Sequence, residues 1–270
     1  MAAIDEAFGP YRLFGQLNDA EVGEALLAKR MGPRGFAKRV VIRRVRWPAG
    51  RRDDRFAAMV SEANAAALLS HANIAHLLDL GARGPWSFVA TEHEDGCTLA
   101  DCLRSRQPLP WAIAAHIVNE AARGLAYVHR RRRRNGELLQ LVHRRITSRR
   151  IALSTAGDVK ITGFGTSWAW VERGAYRAPE ARRNEPVDGR ADVFALGVAL
   201  RASLSSEDSP VPVRRAIEQA THDFQEHRMT AAQLHQALSE ALHASAYGVC
   251  SRDIARLVND RAQSAALPRA

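Results

Sequence analysis

The chain has 270 residues, of which 46% are hydrophobic and 25% are charged, and it carries a formal net charge of +10. This length accommodates one two-lobed domain with a real core, whereas a second full domain would be cramped. No basic N-terminal region precedes an apolar run, and no stretch approaches the roughly 18 uninterrupted apolar residues of a membrane span. Secretion and membrane spanning are therefore not expected, and a cytoplasmic location is predicted.

Potential metal and disulfide residues are sparse. Cys97, Cys102 and Cys250 form an odd set without Cys-x-x-Cys spacing, which indicates reduced, structural thiols rather than a disulfide framework or a zinc site. The ten histidines are scattered, and no pair of them with metal-ligand spacing has a third ligand nearby. No metal site is predicted.

Strand patterns precede helix patterns along the chain. Residues 40–47 alternate β-branched and polar side chains, as in a half-buried strand, whereas residues 111–128 and 230–242 are rich in Ala and Leu at helical spacing. A β-rich lobe followed by an α-rich lobe is therefore predicted, with a boundary near Glu94 to Thr98, where Asp95 and Gly96 favour a turn. We predict a tail at 1–10, a domain at 11–243 with lobes at 11–94 and 98–243, and a C-terminal helix and tail at 244–270.

Two neighbouring motifs bear on chemistry. Residues 141–151 read Leu-Val-His-Arg-Arg-Ile-Thr-Ser-Arg-Arg-Ile, and residues 159–165 read Val-Lys-Ile-Thr-Gly-Phe-Gly. Together they resemble the catalytic core of protein kinases, which carry His-Arg-Asp, an Asn five residues after that Asp, and then Asp-Phe-Gly. Here Arg145, Arg150 and Gly163 stand at the Asp, Asn and Asp positions. The chain resembles a degenerate member, or pseudokinase, of the bacterial Ser/Thr protein kinase-like family.

The resemblance implies an α+β, two-lobed protein kinase-like fold with a β-rich N-lobe and an α-helical C-lobe. Little room remains between the helix near Ser203 and the helix after Pro210, so the C-lobe is predicted to be trimmed. In the N-lobe the resemblance implies a first strand at Tyr11–Leu17, a glycine-rich loop at Asn18–Ala25, a third strand at Arg39–Arg43, helix C at Phe56–Leu69, and a strand from Trp86 that leads into the hinge.

The resemblance also implies candidate nucleotide-binding residues. These are Gly23, the glycine kept by the loop; Arg43, in place of the phosphate-binding lysine; Glu62, its ion-pairing acid; Thr91, the gatekeeper; and Glu92, the first hinge residue. A guanidinium makes bidentate contacts with carboxylates and phosphates, so ATP binding without metal is conceivable. Asn18 and Ala20 argue against it, because they replace glycines that allow close backbone approach to phosphate. Alternatively, the arginines tie the lobes together structurally, and no cofactor is predicted.

Other matches implied by the resemblance are structural. His143 would pack beneath Phe164, which precedes Gly165, and Asp192 lies where helix F begins. Glu180 would close the activation segment and pair with Arg228. Arg144 would lie beside the activation segment, where it can bind a phosphate group attached to a hydroxyl of that segment.

The substituted positions argue against ordinary phosphoryl transfer. Gly163 has no side chain to bind Mg²⁺, and Arg150 places a cation where a metal ligand is expected; at about 4 Å two unit charges repel by roughly 4 kcal/mol at an effective dielectric near 20. Arg145 cannot act as a base, and loss of a base alone costs about 10²–10⁴-fold in rate. We therefore predict that the chain is not an enzyme. The predicted role is a signalling scaffold or allosteric regulator with a protein partner, such as an active kinase. The alternative is a divergent Ser/Thr kinase or nucleotide-binding transferase with a non-standard site.

A run of five arginines adds a possible binding surface. It comprises Arg130, Arg131, Arg132, Arg133 and Arg134. Such a run can bind acidic protein surfaces or nucleic acid, or it can be a solvated loop. Only 6% of residues are aromatic and no nucleic-acid motif accompanies the run, so nucleic-acid binding is not favoured.

Overall fold

The computed structural model describes residues 4–17, 23–47, 52–104, 107–166, 174–205, 209–245 and 248–266. The chain forms two compact units. The first, which we call the N-unit, comprises Met1–Ser70, Ala75–His93 and Gly163–Val171, and the second, the C-unit, comprises His71–Ile74, Glu94–Thr162 and Glu172–Ala270. Within the described residues, none of the helices is long and apolar enough to cross a membrane.

The described residues of the N-unit form an antiparallel sheet and a helix, α1, at Arg52–Ala66. The strand order is β1-β2-β3-β4-β6-β5. In β2 buried and exposed residues alternate, which explains why this sequence forms a strand with one face on the core. The strands are β1 (Glu6–Phe8), β2 (Tyr11–Gln16), β3 (Glu24–Met31), β4 (Ala37–Arg46), β5 (Leu77–Arg83) and β6 (Trp86–Glu92).

The segment 1–10, predicted to be a tail, contains strand β1 instead. β1 pairs with β2, and the Phe8 side chain is buried in the sheet core. Arg44, almost fully buried, donates to both carboxylate oxygens of Glu6 at 2.6 and 2.9 Å and to Glu24 at 2.6 Å. Its guanidinium lies 4.5 Å from the centre of the Trp86 ring. These contacts hold the segment on the sheet, because a buried cation needs carboxylate partners, and Glu6 and Glu24 on neighbouring strands supply them.

The C-unit combines a helical bundle with a small antiparallel sheet of order β7-β8-β9. Its central helix, α3, buries a face rich in alanine. Small side chains allow close packing, and a Cβ added at Gly124 would lie 3.1 Å from Asn73 and Ile74. The elements are β7 (Gly96–Thr98), α2 (Leu99–Leu103), α3 (Trp111–Arg130), β8 (Ile151–Ser154), β9 (Val159–Ile161), α4 (Pro179–Arg182), α5 (Arg190–Ser203), α6 (Val211–Ala220), α7 (Ala231–His243) and α8 (Ser251–Ala266).

Helix α8 lies in the segment predicted to form a C-terminal helix and tail, and it packs within the C-unit. It contacts β7, β8, α2 and α3, and its apolar side chains Ile254 and Val258 are buried. The turn between β8 and β9 packs against the start of α8. Gly157 in this turn has φ +93°, and a Cβ added there would lie 1.9 Å from the carbonyl oxygen of Ser251.

The close contact at Gly157 allows a test of how α8 is docked. Gly157→Ala is expected to cost about 1–3 kcal/mol more than Gly136→Ala, because overpacking adds to the strain of a left-handed backbone. Gly136 is a matched control, since it has φ +87° and nothing within 4 Å of an added Cβ. Urea denaturation would compare the two variants, and hydrogen exchange would report faster opening of 251–266 only for Gly157→Ala. Equal losses in both variants would contradict the packing described.

Candidate functional site

Arg43 is carried by a central strand of the N-unit. It lies on β4 and is 6% exposed, and its NH1 group is 3.4 Å from the hydroxyl of Thr91 on β6. In the strand register Arg43 faces Val89, so Thr91 is its diagonal neighbour on the same face of the sheet. The structure therefore places Arg43, predicted to stand in place of the phosphate-binding lysine, beside Thr91, the predicted gatekeeper.

The predicted hinge acids have structural partners in their own units. Glu92 Oε2 lies 3.2 Å from Nδ1 of His76, and the Glu92 amide donates to the His76 carbonyl at 2.9 Å. In the C-unit, Glu94 pairs with Lys160 of β9 at 2.8 Å. Glu62 lies in α1 and is partly exposed. Its pairing with Arg43 stays a prediction.

The predicted glycine-rich loop is described only from Gly23 onward, because residues 18–22 lie outside the described ranges. Gly23 has φ +75°, and a Cβ added there would lie 2.4 Å from the Arg44 carbonyl oxygen. A glycine is required here for close backbone approach and for the left-handed conformation. The structure thus gives Gly23 a role in the sheet, independent of any nucleotide.

The Gly163-Phe164-Gly165 turn keeps a tight backbone without an acid. Gly163 has φ +95° and Gly165 has φ +79°. The Thr166 hydroxyl donates to the Gly163 carbonyl at 2.6 Å, and Phe164 is buried. A Cβ added at Gly165 would lie 2.8 Å from Leu77, so this glycine packs closely within the N-unit. The rest of the predicted activation segment, residues 167–173, lies outside the described residues.

Asp192 of α5 holds the start of the His-Arg-Arg loop in the C-unit. Its two carboxylate oxygens accept the backbone N–H groups of His143 at 2.9 Å and Arg144 at 2.8 Å, and Oδ2 lies 3.0 Å from His129 Nε2. Burial raises the pKa of Asp192, but hydrogen bonding and charge from His129, with help from His143, leave that pKa below its ordinary value. An ionised Asp192 can thus support Arg144, whose φ of +64° is unusual for a residue with a side chain.

His143 is a structural residue in a defined tautomer. Its Nδ1 accepts the Arg145 backbone N–H at 3.2 Å, which leaves Nε2–H to donate to the Thr162 carbonyl at 3.0 Å. Complete burial lowers the pKa of His143 to about 4. The imidazole is therefore neutral near pH 7.

Arg145 and Arg150 put two largely buried guanidinium groups in the C-unit, at 3% and 4% exposure. Arg150 ends the 3-10 turn Ser148–Arg150, and its carbonyl accepts the Thr162 N–H at 2.8 Å. Guanidinium groups have no acceptor atom. Neither these two residues nor Gly163 fits Mg²⁺, and the part of the chain that the structure describes contains no cluster of three His, Cys, Asp or Glu residues suited to a metal.

Glu180 and Arg228 form a buried ion pair behind the end of the activation segment. The two guanidinium nitrogens donate to the two carboxylate oxygens at 2.8 and 3.0 Å, and both side chains are almost inaccessible to water. Nearby, the Tyr176 hydroxyl lies 3.2 Å from the hydroxyl of Ser148. This pair anchors α4 to the segment that precedes α7.

The arginine run begins where α3 ends. Arg130 and Arg132 donate to backbone carbonyls of Ala126 and Gly136, so part of the run is structural. The run also borders an open pocket of about 500 Å³, lined by His71, Arg123, Tyr127, Arg130, Arg131 and Arg132.

Sequence reasoning missed three contributors to these clusters, Arg123, Tyr127 and His129. Arg123, Tyr127 and the predicted Arg131 follow one another at a spacing of four residues, and this i, i+4 pattern was a readable signal of one helix face. His129, the partner of Asp192, had no comparable sequence signal, because the two are far apart in the chain.

Comparison with known proteins adds to this geometry. Residues 28–265 match the family described as protein kinase domain. The chain is 34% identical over 215 residues to the tyrosine-protein kinase MasK of Myxococcus xanthus, which covers 74% of this chain and 33% of that protein. It is 30% identical over 230 residues to the serine/threonine-protein kinase PknB of Mycobacterium leprae, and this match covers 77% of this chain and 34% of that protein. The chain thus spans about a third of the length of these curated relatives.

The fold is also similar to solved kinase structures. The crystal structure of the PknI kinase domain of Mycobacterium tuberculosis superposes with a TM-score of 0.68 at 23% identity, covering 89% of this chain and 99% of that one. This likeness confirms the predicted two-lobed kinase fold with a sheet-rich and a helical lobe.

The comparisons correct one prediction. The substituted positions Arg145, Arg150 and Gly163 led to the prediction that the chain is not an enzyme. That prediction is wrong, because the match to the kinase domain and the relatives named as tyrosine and serine/threonine kinases point to an enzyme. With its ordered motifs, its kinase fold and a family match over residues 28–265, the chain belongs to the protein kinase family of bacteria.

Proposed function

We propose that this chain is a divergent protein kinase, which transfers phosphate from a nucleoside triphosphate to a protein hydroxyl through a non-standard site. The observation that carries the proposal is the kinase-like backbone that each unit keeps at its own substituted positions. Asp192 holds the backbone of His143 and Arg144, and the Gly163 turn keeps its left-handed conformation. Names of relatives include both tyrosine and serine/threonine kinases, so the acceptor class is a Ser, Thr or Tyr hydroxyl.

Electrostatics supports arginine as the charged group in such a site. Phosphoryl transfer proceeds through a loose transition state, so catalysis rests on positioning and on neutralising charge on the phosphate oxygens. Guanidinium groups supply positive charge in bidentate geometry. Within the C-unit, the candidate residues for this charge are Arg145 and Arg150; within the N-unit, Arg43 is the candidate for contacting nucleotide. Without a general base the reaction is expected to be about 10²–10⁴-fold slower than in an ordinary kinase.

Nucleotide binding provides the first test. Thermal unfolding of the full chain with ATP should show a rise in Tm both in EDTA and in Mg²⁺, since a ligand at about 100 times its Kd adds roughly 2.7 kcal/mol. Mass spectrometry of the chain and of a generic protein substrate would then detect slow phosphate transfer. Arg43→Met should abolish the Tm rise, whereas Arg39→Met, on the same strand but exposed, should retain it.

A second variant separates this mechanism from an ordinary one. Gly163→Asp restores the acid with which kinases of this family bind Mg²⁺, so ATP binding should become stronger with Mg²⁺ than with EDTA. The aspartate must accept φ near +95°, which carries a strain of about 1–3 kcal/mol. If the unaltered chain neither binds ATP nor transfers phosphate under any of these conditions, the proposal is rejected.

We further propose that the arginine-lined pocket of the C-unit binds an acidic segment of a protein partner. His71 stacks on Tyr127 at 5.0 Å between ring centres, and Arg131 lies over the same tyrosine at 5.8 Å. Burial, followed by the charge of Arg123, lowers the pKa of His71, and Glu120 opposes this shift. Such a pocket favours carboxylate or phosphate groups beside an aromatic surface.

Charge reversal tests this surface. Arg131→Glu with Arg132→Glu should weaken binding of a fluorescent glutamate-rich peptide at least about tenfold, and added salt should weaken binding to the unaltered chain. Arg215→Glu, an exposed change on α6, is the control and should have little effect. Binding that is insensitive to salt or to the double change would contradict the proposal, and preferential binding of an oligonucleotide would replace it with nucleic-acid recognition.

A further inference from the structure

Two cysteines that are five residues apart in sequence lie side by side in the C-unit. Cys97 is on β7 and Cys102 is on α2, and their sulfur atoms are 3.5 Å apart. Both are free thiols; Cys102 is fully buried, whereas Cys97 is partly accessible. The third cysteine, Cys250, is exposed.

Local structure holds this pair in place. Thr98 caps α2 in a capping box with Asp101: the Asp101 N–H donates to the Thr98 hydroxyl oxygen at 3.2 Å, and the Thr98 N–H donates to Asp101 at 2.9 Å. Cys97 therefore precedes the cap, and Cys102 is the fourth residue of the helix. Residues at these two positions commonly contact each other at a helix start.

The strand that carries Cys97 is also fixed. Cys97 faces Leu153 in the register of β7 and β8, and a Cβ added at Gly96 would lie 1.9 Å from the Leu153 carbonyl oxygen. Little room remains for β7 to move away from β8. The helix cap thus fixes the backbone of Cys102, and the pairing of β7 with β8 fixes that of Cys97, so the two sulfur atoms are held near each other.

The two thiols differ in reactivity. The hydrogen bond with Cys102 lowers the pKa of Cys97. Burial and the charge of Asp101 oppose this shift, whereas the positive charge of Arg261 on α8 contributes to it. The same hydrogen bond, together with burial, raises the pKa of Cys102. Since the thiolate is the reactive form, Cys97 is the thiol that oxidants meet first.

We propose that Cys97 and Cys102 are a reversible redox pair, which a hydroperoxide converts to an intrachain disulfide. The Cys97 thiolate attacks the hydroperoxide, the O–O bond breaks, and Cys97 becomes a sulfenic acid while the leaving oxygen takes a proton. The Cys102 sulfur then attacks the sulfenic sulfur, the S–O bond breaks, and the Cys102 proton leaves in water. The sulfur atoms must approach by about 1.5 Å to reach disulfide length.

The bond would have a local structural effect. It links the strand before the helix cap to the first turn of α2, and so converts a side-chain contact into a covalent one. A thiol reductant would reverse it by exchange, as in other reversible protein disulfides.

The test uses the full chain with Cys250→Ser, which removes the exposed thiol. Hydrogen peroxide should cause loss of both remaining thiols in a thiol titration, and peptide mapping should find Cys97 joined to Cys102 within one chain. Dithiothreitol should restore both thiols. Arg261→Gln should slow the oxidation, because the thiolate of Cys97 loses a nearby positive charge.

Single variants give the decisive outcomes. With Cys102→Ala, or Cys102→Ser if the alanine variant does not fold, Cys97 should be trapped by a sulfenic-acid reagent, whereas with Cys97→Ser the buried Cys102 should stay reduced. The proposal is overturned if both thiols persist at peroxide concentrations that oxidise Cys250 in the unaltered chain. Overoxidation of Cys97 while Cys102 stays free would likewise show that the two sulfurs only pack against each other.

Discussion

Replacing Arg228 with methionine is expected to lower the free energy of unfolding by about 3–5 kcal/mol. The change leaves the Glu180 carboxylate buried without its cation, and both side chains are at most 3% exposed. It also removes donors to the carbonyl of His222 at 2.9 and 3.0 Å and to that of Arg190 at 3.0 Å. An uncompensated buried charge costs far more than the loss of an exposed ion pair.

A double-mutant cycle measured by urea denaturation would test this expectation. Arg228→Met with Glu180→Leu should be less destabilised than Arg228→Met alone, because removing both charges relieves the unpaired carboxylate. Arg183→Met is the matched control. Arg183 pairs with Glu185 at 2.7 Å, but both side chains are about half exposed, so its loss should change the free energy of unfolding little. Equal losses for Arg183→Met and Arg228→Met would contradict the buried pair.

Asp192→Asn is expected to cost about 2–4 kcal/mol and to loosen the His-Arg-Arg loop. The carboxylate accepts two backbone N–H groups and faces His129, whereas an amide presents one acceptor and one donor. One buried N–H group then loses its partner, which costs about 1–3 kcal/mol, and the interaction with His129 weakens further. Arg144 would lose support for its left-handed backbone.

Hydrogen exchange would locate the effect of Asp192→Asn. The amides of His143 and Arg144 should exchange faster, while those of α7 change little. Asp188→Asn is the control, since Asp188 is 46% exposed and pairs with Arg190 at the surface. If the loop amides keep their protection in Asp192→Asn, the carboxylate does not hold the loop.

The sequence alone could predict the features that depend on interactions within a single element, but not those that depend on contacts between distant segments. The alternation of residues 40–47 and the helical spacing of 111–128 reflect burial along single elements, so β4 and α3 could be predicted. The order of the kinase-like motifs indicated the family. Function was harder, because the chemistry of Arg145, Arg150 and Gly163 argued against an enzyme, whereas the family relationship argues for one.

The sequence by itself therefore determined the fold class, the family and the identity of the substituted positions, since these depend on local periodicity and on motif order. Only the tertiary structure decided that 6–8 form a strand bound by Arg44, that α8 packs on β7 and β8, and that His129 completes the contacts of Asp192. It also decided that Cys97 and Cys102 meet. These contacts depend on which surfaces are buried against each other, and no single segment carries that information.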